Sequence, residues 1–343
     1  MSGLYYKELY SRKEGGELPQ LVIAENENMQ SRFVAERILA LREEGIPLEE
    51  MAVLFRASFL SFDLEIELAK SNIPFVKYGG FKFIETAHVK DMVAYLRVLE
   101  NPRDIVSWNR ILLLIDGVGP RTAEKVTEDI LSHKLDFTSK GGSALVSEKY
   151  WQGYQGYPKG VRELFDRLQE LSSTKSTPAD KSYRMLSYYE PILKARYDDH
   201  PKRLKDLEMF QNIAERYTDI ESLLTDMALE PPTESVVDVE SPGQEEEMLV
   251  LSTIHSAKGL EWKVVFVIYA LEGRFPSMKA LSSDEEVEEE LRLMYVACTR
   301  AKERLFITYP INIFDRETGT VLSKPSRFIE GINDKLLEPW VIE

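Results

Sequence analysis

The sequence predicts an α/β fold in which a parallel sheet domain is split in sequence by a mainly helical insertion. Three features carry that prediction. Short, nearly continuous apolar runs appear within the first 80 residues, a long stretch of helical periodicity follows, and strand-like runs return after residue 247. Unbroken apolar runs of this length suit parallel strands covered on both faces, whereas apolar stripes at three- and four-residue intervals suit helices.

Taken in order, Gln20–Ala24 and Met51–Phe55 read as strands, and residues 74–78 as a third before the Gly79-Gly80 turn. Between the first two, Phe33, Val34, Ile38 and Leu41 recur at helical spacing and Gly45 marks a stop. Leu60, Leu64 and Leu68 form a second stripe. From about Thr86 to Leu229 the pattern is helical. Thr86 is placed to cap a helix with Val89, Met92, Val93, Leu96 and Leu99 on one face, which Asn101-Pro102 ends. Residues 139–159, rich in Gly, Ser, Tyr and Trp, read as irregular, and 172–180 and 230–247 as loops. Strands are expected at 248–254, 264–270 and 304–309, the last preceded by a Glu-rich helix over 287–301. The expected division is 1–84 with 246–330 for the sheet domain, 85–245 for the insertion and 331–343 for a C-terminal tail.

Composition narrows the function classes. One cysteine, Cys298, and four histidines exclude a disulfide framework and argue against a Cys/His metal site, so no metal ligands are assigned. His88, His133 and His200 have no partner spacing. No apolar run approaches the roughly 20 residues needed to span a bilayer, and no secretory apolar region opens the chain. A reducing, cytoplasmic setting without a membrane is expected. The net charge of −15 is nearly uninformative about nucleic acid, because six carboxylates crowd into residues 284–290. A nucleic-acid groove needs a local basic lining, not a basic total.

Four segments carry chemistry. Thr253-Ile254-His255-Ser256-Ala257-Lys258-Gly259-Leu260-Glu261 sets a hydroxyl, an imidazole, an ammonium and a carboxylate between two strands. The carboxyl edge of a parallel sheet is where α/β folds bind ligands. A solvated loop with a glycine turn is the plain alternative, and the residues alone leave both open. On the helix over 287–301, Arg292, Tyr295 and Thr299 fall near one face while Leu293, Val296 and Arg300 follow another. Met51–Phe55 delivers Arg56 at a strand end. Gly117-Val118-Gly119-Pro120-Arg121-Thr122 exposes backbone N–H groups ahead of a helix, an arrangement able to bind a DNA phosphate without reading sequence. A packing joint between helices is its alternative. Trp108, Trp151, Tyr154 and Tyr157 read as packing residues.

Together these strings resemble the C-terminal half of the UvrD/Rep-like superfamily 1 DNA helicases. The loop matches motif V, T-x-H-x-x-K-G-L-E, at every specified position; residues 292–301 are similar to motif VI, R-x-x-Y-V-x-x-T-R-A; and Phe55-Arg56 ends a string similar to motif IV. Gly117-Val118-Gly119 resembles the Gly-Ile-Gly hairpin of the family's inserted domain, and residues 73–83 resemble the lead into that domain. The resemblance implies a RecA-like, P-loop NTPase-type parallel sheet domain lacking its own phosphate loop. It implies that Arg300 is an arginine finger for the γ-phosphate of ATP and Arg56 a second contact, a task that suits a permanently charged, bidentate guanidinium. It further implies that Glu261 accepts from the ribose, that Phe55 stacks on adenine in place of the family's usual tyrosine, and that Arg292 contacts nucleotide. The family often has two arginines before Tyr295, and Leu291 stands where the first would be. Thr253, His255 and Lys258 would face single-stranded DNA, and Gly117, Gly119 and Thr122 duplex phosphates.

The chain has no Gly-Lys dipeptide, hence no G-x-x-x-x-G-K-[ST] loop, and its one Asp-Glu pair, Asp284-Glu285, follows serines instead of an apolar strand. The expectation is therefore a portion of a longer helicase whose N-terminal domain binds ATP with Mg²⁺, this portion being inactive alone. Two other readings stay open: a non-catalytic DNA-binding module of helicase-like architecture, and a fragment of a recombination helicase of the RecB/AddA type.

Overall fold

A computed structural model describes residues 15–132, 135, 137, 158–228, 247–315 and 319–342. The chain divides into two compact units, Met1–Gly80 with Pro232–Glu343, and Phe81–Pro231.

In the first unit the strands are β1 (Gln20–Ala24), β2 (Met51–Phe55), β3 (Phe75–Tyr78), β4 (Leu249–Thr253), β5 (Trp262–Val267), β6 (Ala301–Pro310) and β9 (Glu338–Ile342). The described residues join them into one sheet of order β3-β4-β2-β5-β6-β1-β9, with every pairing parallel. All five residues of β2 are buried, as expected of a central strand covered on both faces. β1 instead alternates buried and half-buried, because it lies one strand from the edge. β3 and β4 pair side by side, Phe75 opposite Leu249, although more than 170 residues separate them. The insertion therefore leaves and re-enters the sheet between neighbouring strands.

Helix α1 (Glu27–Glu43) starts where the Asn26 side chain accepts from the Met29 amide at 2.9 Å, and ends before Gly45, whose φ of +92° a side chain would strain. Val34, Ile38 and Leu41 on its inner face join the sheet core. A short 3₁₀ turn (Ser58–Ser61) and α2 (Phe62–Lys70) follow β2. Helix α10 (Asp284–Cys298) opens with Asp284, Glu285 and Glu286, whose charges complement the helix N-terminus.

The second unit is helical: α3 (Ala87–Glu100), α4 (Ile105–Leu112), α5 (Pro120–Leu131), α6 (Lys159–Ser173), α7 (Pro178–Arg196), α8 (His200–Ala214) and α9 (Ile220–Ala228). Trp108 is fully buried, stacks on Phe165 at 5.3 Å and donates to the Pro102 carbonyl. Buried Asp91 accepts from the Tyr189 hydroxyl at 2.5 Å and from Arg110 at 2.6 Å. His88, unassigned from sequence, is buried between Asp206 and Arg203, residues too distant in sequence for spacing to suggest.

Several expectations need correcting. Residues 331–343 are not simply a tail, since β9 completes the sheet beside β1. The loop expected at 172–180 shrinks to the residues between Ser173 and Pro178. Thr86 sits at the cap position of α3, but its hydroxyl donates to the Phe83 carbonyl. A two-stranded hairpin, β7 (Ile313–Asp315) with β8 (Thr320–Leu322), was not foreseen. The irregular stretch 139–157 (with Trp151, Tyr154 and Tyr157), His133 and most of loop 230–247 lie outside the described residues.

Candidate functional site

At the carboxyl edge of the sheet, β2 ends in Arg56. Its Nε lies 2.9 and 3.0 Å from the two oxygens of Glu290 on α10, and Nη2 lies 2.8 Å from Oε1. Glu290 is buried and Arg56 half-buried. Charge-assisted pairing of this kind fixes a guanidinium plane.

β4 ends in Thr253, whose hydroxyl donates to Ser256 Oγ at 3.0 Å, closing a turn that continues through Lys258 to Gly259 at φ +86°. Gly79 packs against this turn. A Cβ there would stand 2.3 Å from Thr253 Oγ1, and Gly79 holds a φ of +86°, so only glycine fits. His255 and Lys258 are exposed. Partial desolvation of its ring, although the residue is exposed overall, lowers the His255 pKa; the Arg56 and Lys258 charges lower it further, and Glu289 and Glu290 oppose them. The imidazole is therefore neutral at neutral pH.

Arg300 follows the end of α10. Its Nη1 donates to the Leu260 carbonyl at 2.9 Å, Nε to the Val296 carbonyl at 3.1 Å and Nη2 to Thr299 Oγ1 at 3.2 Å. Exposed Glu261 is the next residue after its Leu260 anchor. The motif V and motif VI strings are thus joined through one guanidinium.

Two expected nucleotide contacts sit differently. Phe55 is fully enclosed, with Lys77 Nζ 5.7 Å from its ring centroid, so this arrangement offers no ring face to a base. Arg292 lies on the exposed side of α10, paired with Glu289 at 2.7 Å. In the helical unit, Gly117 has φ +76° and Gly119 caps α5 without a side-chain hydrogen bond. Gly117, Gly119 and Arg121 are exposed, Thr122 is half-buried, and Val118 points inward. The exposed Asp116 carboxylate beside them is unfavourable to phosphate, as are Glu163 and Asp166, which line the same pocket as Asp116.

Sequence reasoning missed Glu290 because it took the six carboxylates of residues 284–290 together and singled out none of them. Glu290, Leu293, Met294 and Ala297 share one buried helix face, and Glu290 is the one carboxylate of the six that is buried; Glu286 falls on the same face by spacing but is exposed, so spacing alone does not single out Glu290. It also missed the buried pair of Lys77 and Glu65, 2.6 Å apart beneath the turn after Arg56.

A parallel sheet interrupted in sequence by a helical unit, with Arg56 at the carboxyl end of β2 and Arg300 between α10 and β6, is the arrangement of a RecA-like α/β domain with an insertion. The chain belongs to the family of UvrD-like helicase C-terminal domains, whose model matches residues 4–311. It is 32% identical over 351 residues to the ATP-dependent DNA helicase PcrA of Staphylococcus epidermidis strain RP62A, covering 97% of this chain and 46% of that protein. The same figures hold for PcrA of Staphylococcus aureus strain Mu50. The chain thus spans about half the length of the curated relatives it matches. Among solved structures, the C-terminal domain of a possible DNA helicase from Lactobacillus plantarum WCFS1 is 20% identical and aligns with 29% of this chain and 49% of its own, at a TM-score of 0.19. Among the described residues, no helix is long and apolar enough to cross a membrane.

Proposed function

We propose that this chain is the C-terminal motor half of an ATP-dependent DNA helicase or translocase. In this reading the sheet unit (Met1–Gly80 with Pro232–Glu343) answers to nucleotide and the helical unit (Phe81–Pro231) contacts duplex DNA. The observation that carries the reading is that α10 links both arginines: Glu290 on it holds Arg56, which leaves the carboxyl end of β2, and Arg300 follows it, ahead of β6, donating to the Leu260 carbonyl of the Thr253–Glu261 turn. ATP with Mg²⁺, held mainly by an N-terminal domain of the same protein, supplies the phosphoanhydride whose hydrolysis drives movement. The residues present fit its phosphate end: Arg56 is pre-oriented, and Arg300 is held only by neutral acceptors that a phosphate oxygen can displace. Thr253, His255 and Lys258 then hold single-stranded DNA while the cleft closes and opens, and the resemblance makes the direction 3′ to 5′. The N-terminus of α5 behind Gly117 and Gly119 offers amide donors to duplex phosphates.

Arg56→Ala in the full-length protein should lower kcat for DNA-stimulated ATP hydrolysis by about 10²–10³-fold, the usual loss for one preorganised donor. Unchanged turnover would overturn the reading of this edge, and ATPase activity in the isolated chain would contradict the division of labour. A second test concerns DNA. Lys258→Ala should reduce the slope of log K against log salt for single-stranded DNA by about 0.7. His255→Gln at pH 7.5 should leave that slope unchanged, because the replaced imidazole is already neutral. A slope altered equally by both variants would contradict the charge assignment.

A further inference from the structure

We infer that Glu290 is a positioning residue for ATP hydrolysis, acting through Arg56; this rests on Arg56 being a phosphate contact. The pairing is side-on. Glu290 takes the Nε–H and an N–H of Nη2, and no described residue hydrogen-bonds Nη1. A guanidinium has five N–H donors in a rigid fork. Engaging the Nε edge leaves the outer edge, Nη1 with the remaining N–H of Nη2, for two phosphate oxygens.

The two partners differ in burial, and that difference sets which one is fixed. The Glu290 side chain is 3% exposed and the Arg56 side chain 27%. Glu290 is anchored on α10 beside Leu293, Met294 and Ala297, with Ser277 Oγ 3.5 Å from Oε1. Arg56 reaches that carboxylate from the end of β2 and keeps part of its side chain exposed. An arginine on a flexible stem would otherwise sample many rotamers before meeting a phosphate, at a cost in side-chain entropy. The buried carboxylate restricts that search beforehand. A neutral or apolar residue at 290 would let the guanidinium swing, and misplacement by about 1 Å can cost on the order of 10²-fold in rate.

The test is a double-mutant cycle on kcat and KM for DNA-stimulated ATP hydrolysis in the full-length protein, with Arg56→Ala, Glu290→Ala and the pair. Glu290→Ala should lower kcat by about 10²-fold when Arg56 is present. In the Arg56→Ala background it should change kcat by less than about twofold, the scatter of independent sites. A structural defect would lower kcat by the same factor in both backgrounds, and that result would overturn the inference. So would an unchanged kcat for Glu290→Ala where Arg56→Ala alone is strongly impaired. If Arg56→Ala alone is unimpaired, the reading of Arg56 itself fails, and this inference with it. Should Glu290→Ala not fold, Glu290→Gln, which keeps the shape and loses the charge, takes its place under the same criteria.

Discussion

Replacing Arg300 with alanine in the full-length protein should abolish DNA-stimulated ATP turnover, with kcat falling by about 10³–10⁵-fold, the range known for arginine fingers. The size of the effect follows from how the residue is held. All three of its nitrogens donate to neutral oxygens, those of Val296, Leu260 and Thr299. Hydrogen bonds to neutral acceptors are roughly half as strong as those to phosphate, so a γ-phosphate brought within reach would capture the guanidinium. Nothing buried and charged is stranded when it leaves. Arg56 is held the opposite way, by a buried carboxylate, and is expected to stay in place while the phosphate comes to it. Arg300→Lys should recover only part of the rate, since an ammonium keeps the charge and loses the planar fork. DNA affinity without nucleotide should change little in either variant, which separates a catalytic defect from misfolding. Near-normal turnover in Arg300→Ala would sink the assignment.

The chain shows where sequence is informative and where it is silent. β1 and β2 are legible to the residue, because each is a short apolar run bounded by polar residues. The turn from Thr253 to Glu261 and the helix before Arg300 are legible because their spacing is local. Glu290 was obscured because its partner Arg56 is 234 positions away, and only folding brings a strand end to that helix. β9 was obscured for a different reason. Pro339 lies inside it, and proline lacks the amide that a central strand needs. Among the described residues the strand is at the sheet edge and pairs only with β1, where proline is tolerated, and Trp340 packs edge-on against Phe33 of α1. Phe55 could not be placed from its residue type, since an aromatic ring suits a stacking platform and a core equally. Its burial follows from β2 lying between β4 and β5.

Lys77→Met should destabilise the sheet unit by about 3–5 kcal/mol, the usual cost of breaking a buried pair from one side. The Lys77 side chain is 1% exposed and that of Glu65 is 6% exposed. The Lys77 ammonium sits 2.6 Å from Glu65 Oε1, 3.3 Å from the Ser58 carbonyl and 4.7 Å from the centre of the Phe62 ring. Ser61 Oγ lies 2.7 Å from the same Glu65 oxygen and 2.8 Å from the Ser58 carbonyl, so four residues close around the turn that follows Arg56. Methionine fills much of the lysine volume but leaves the Glu65 carboxylate without the ammonium that offsets its desolvation. Lys77→Met with Glu65→Leu should therefore recover most of the loss, because replacing both partners of a buried pair by apolar groups is often neutral or stabilising. Hydrogen exchange of the β2, β3 and β4 amides is the suitable readout, since it reports the sheet unit separately from the helical one. Equal losses in the single and double variants would show that packing around the lysine stem, and not the pair of charges, holds this turn.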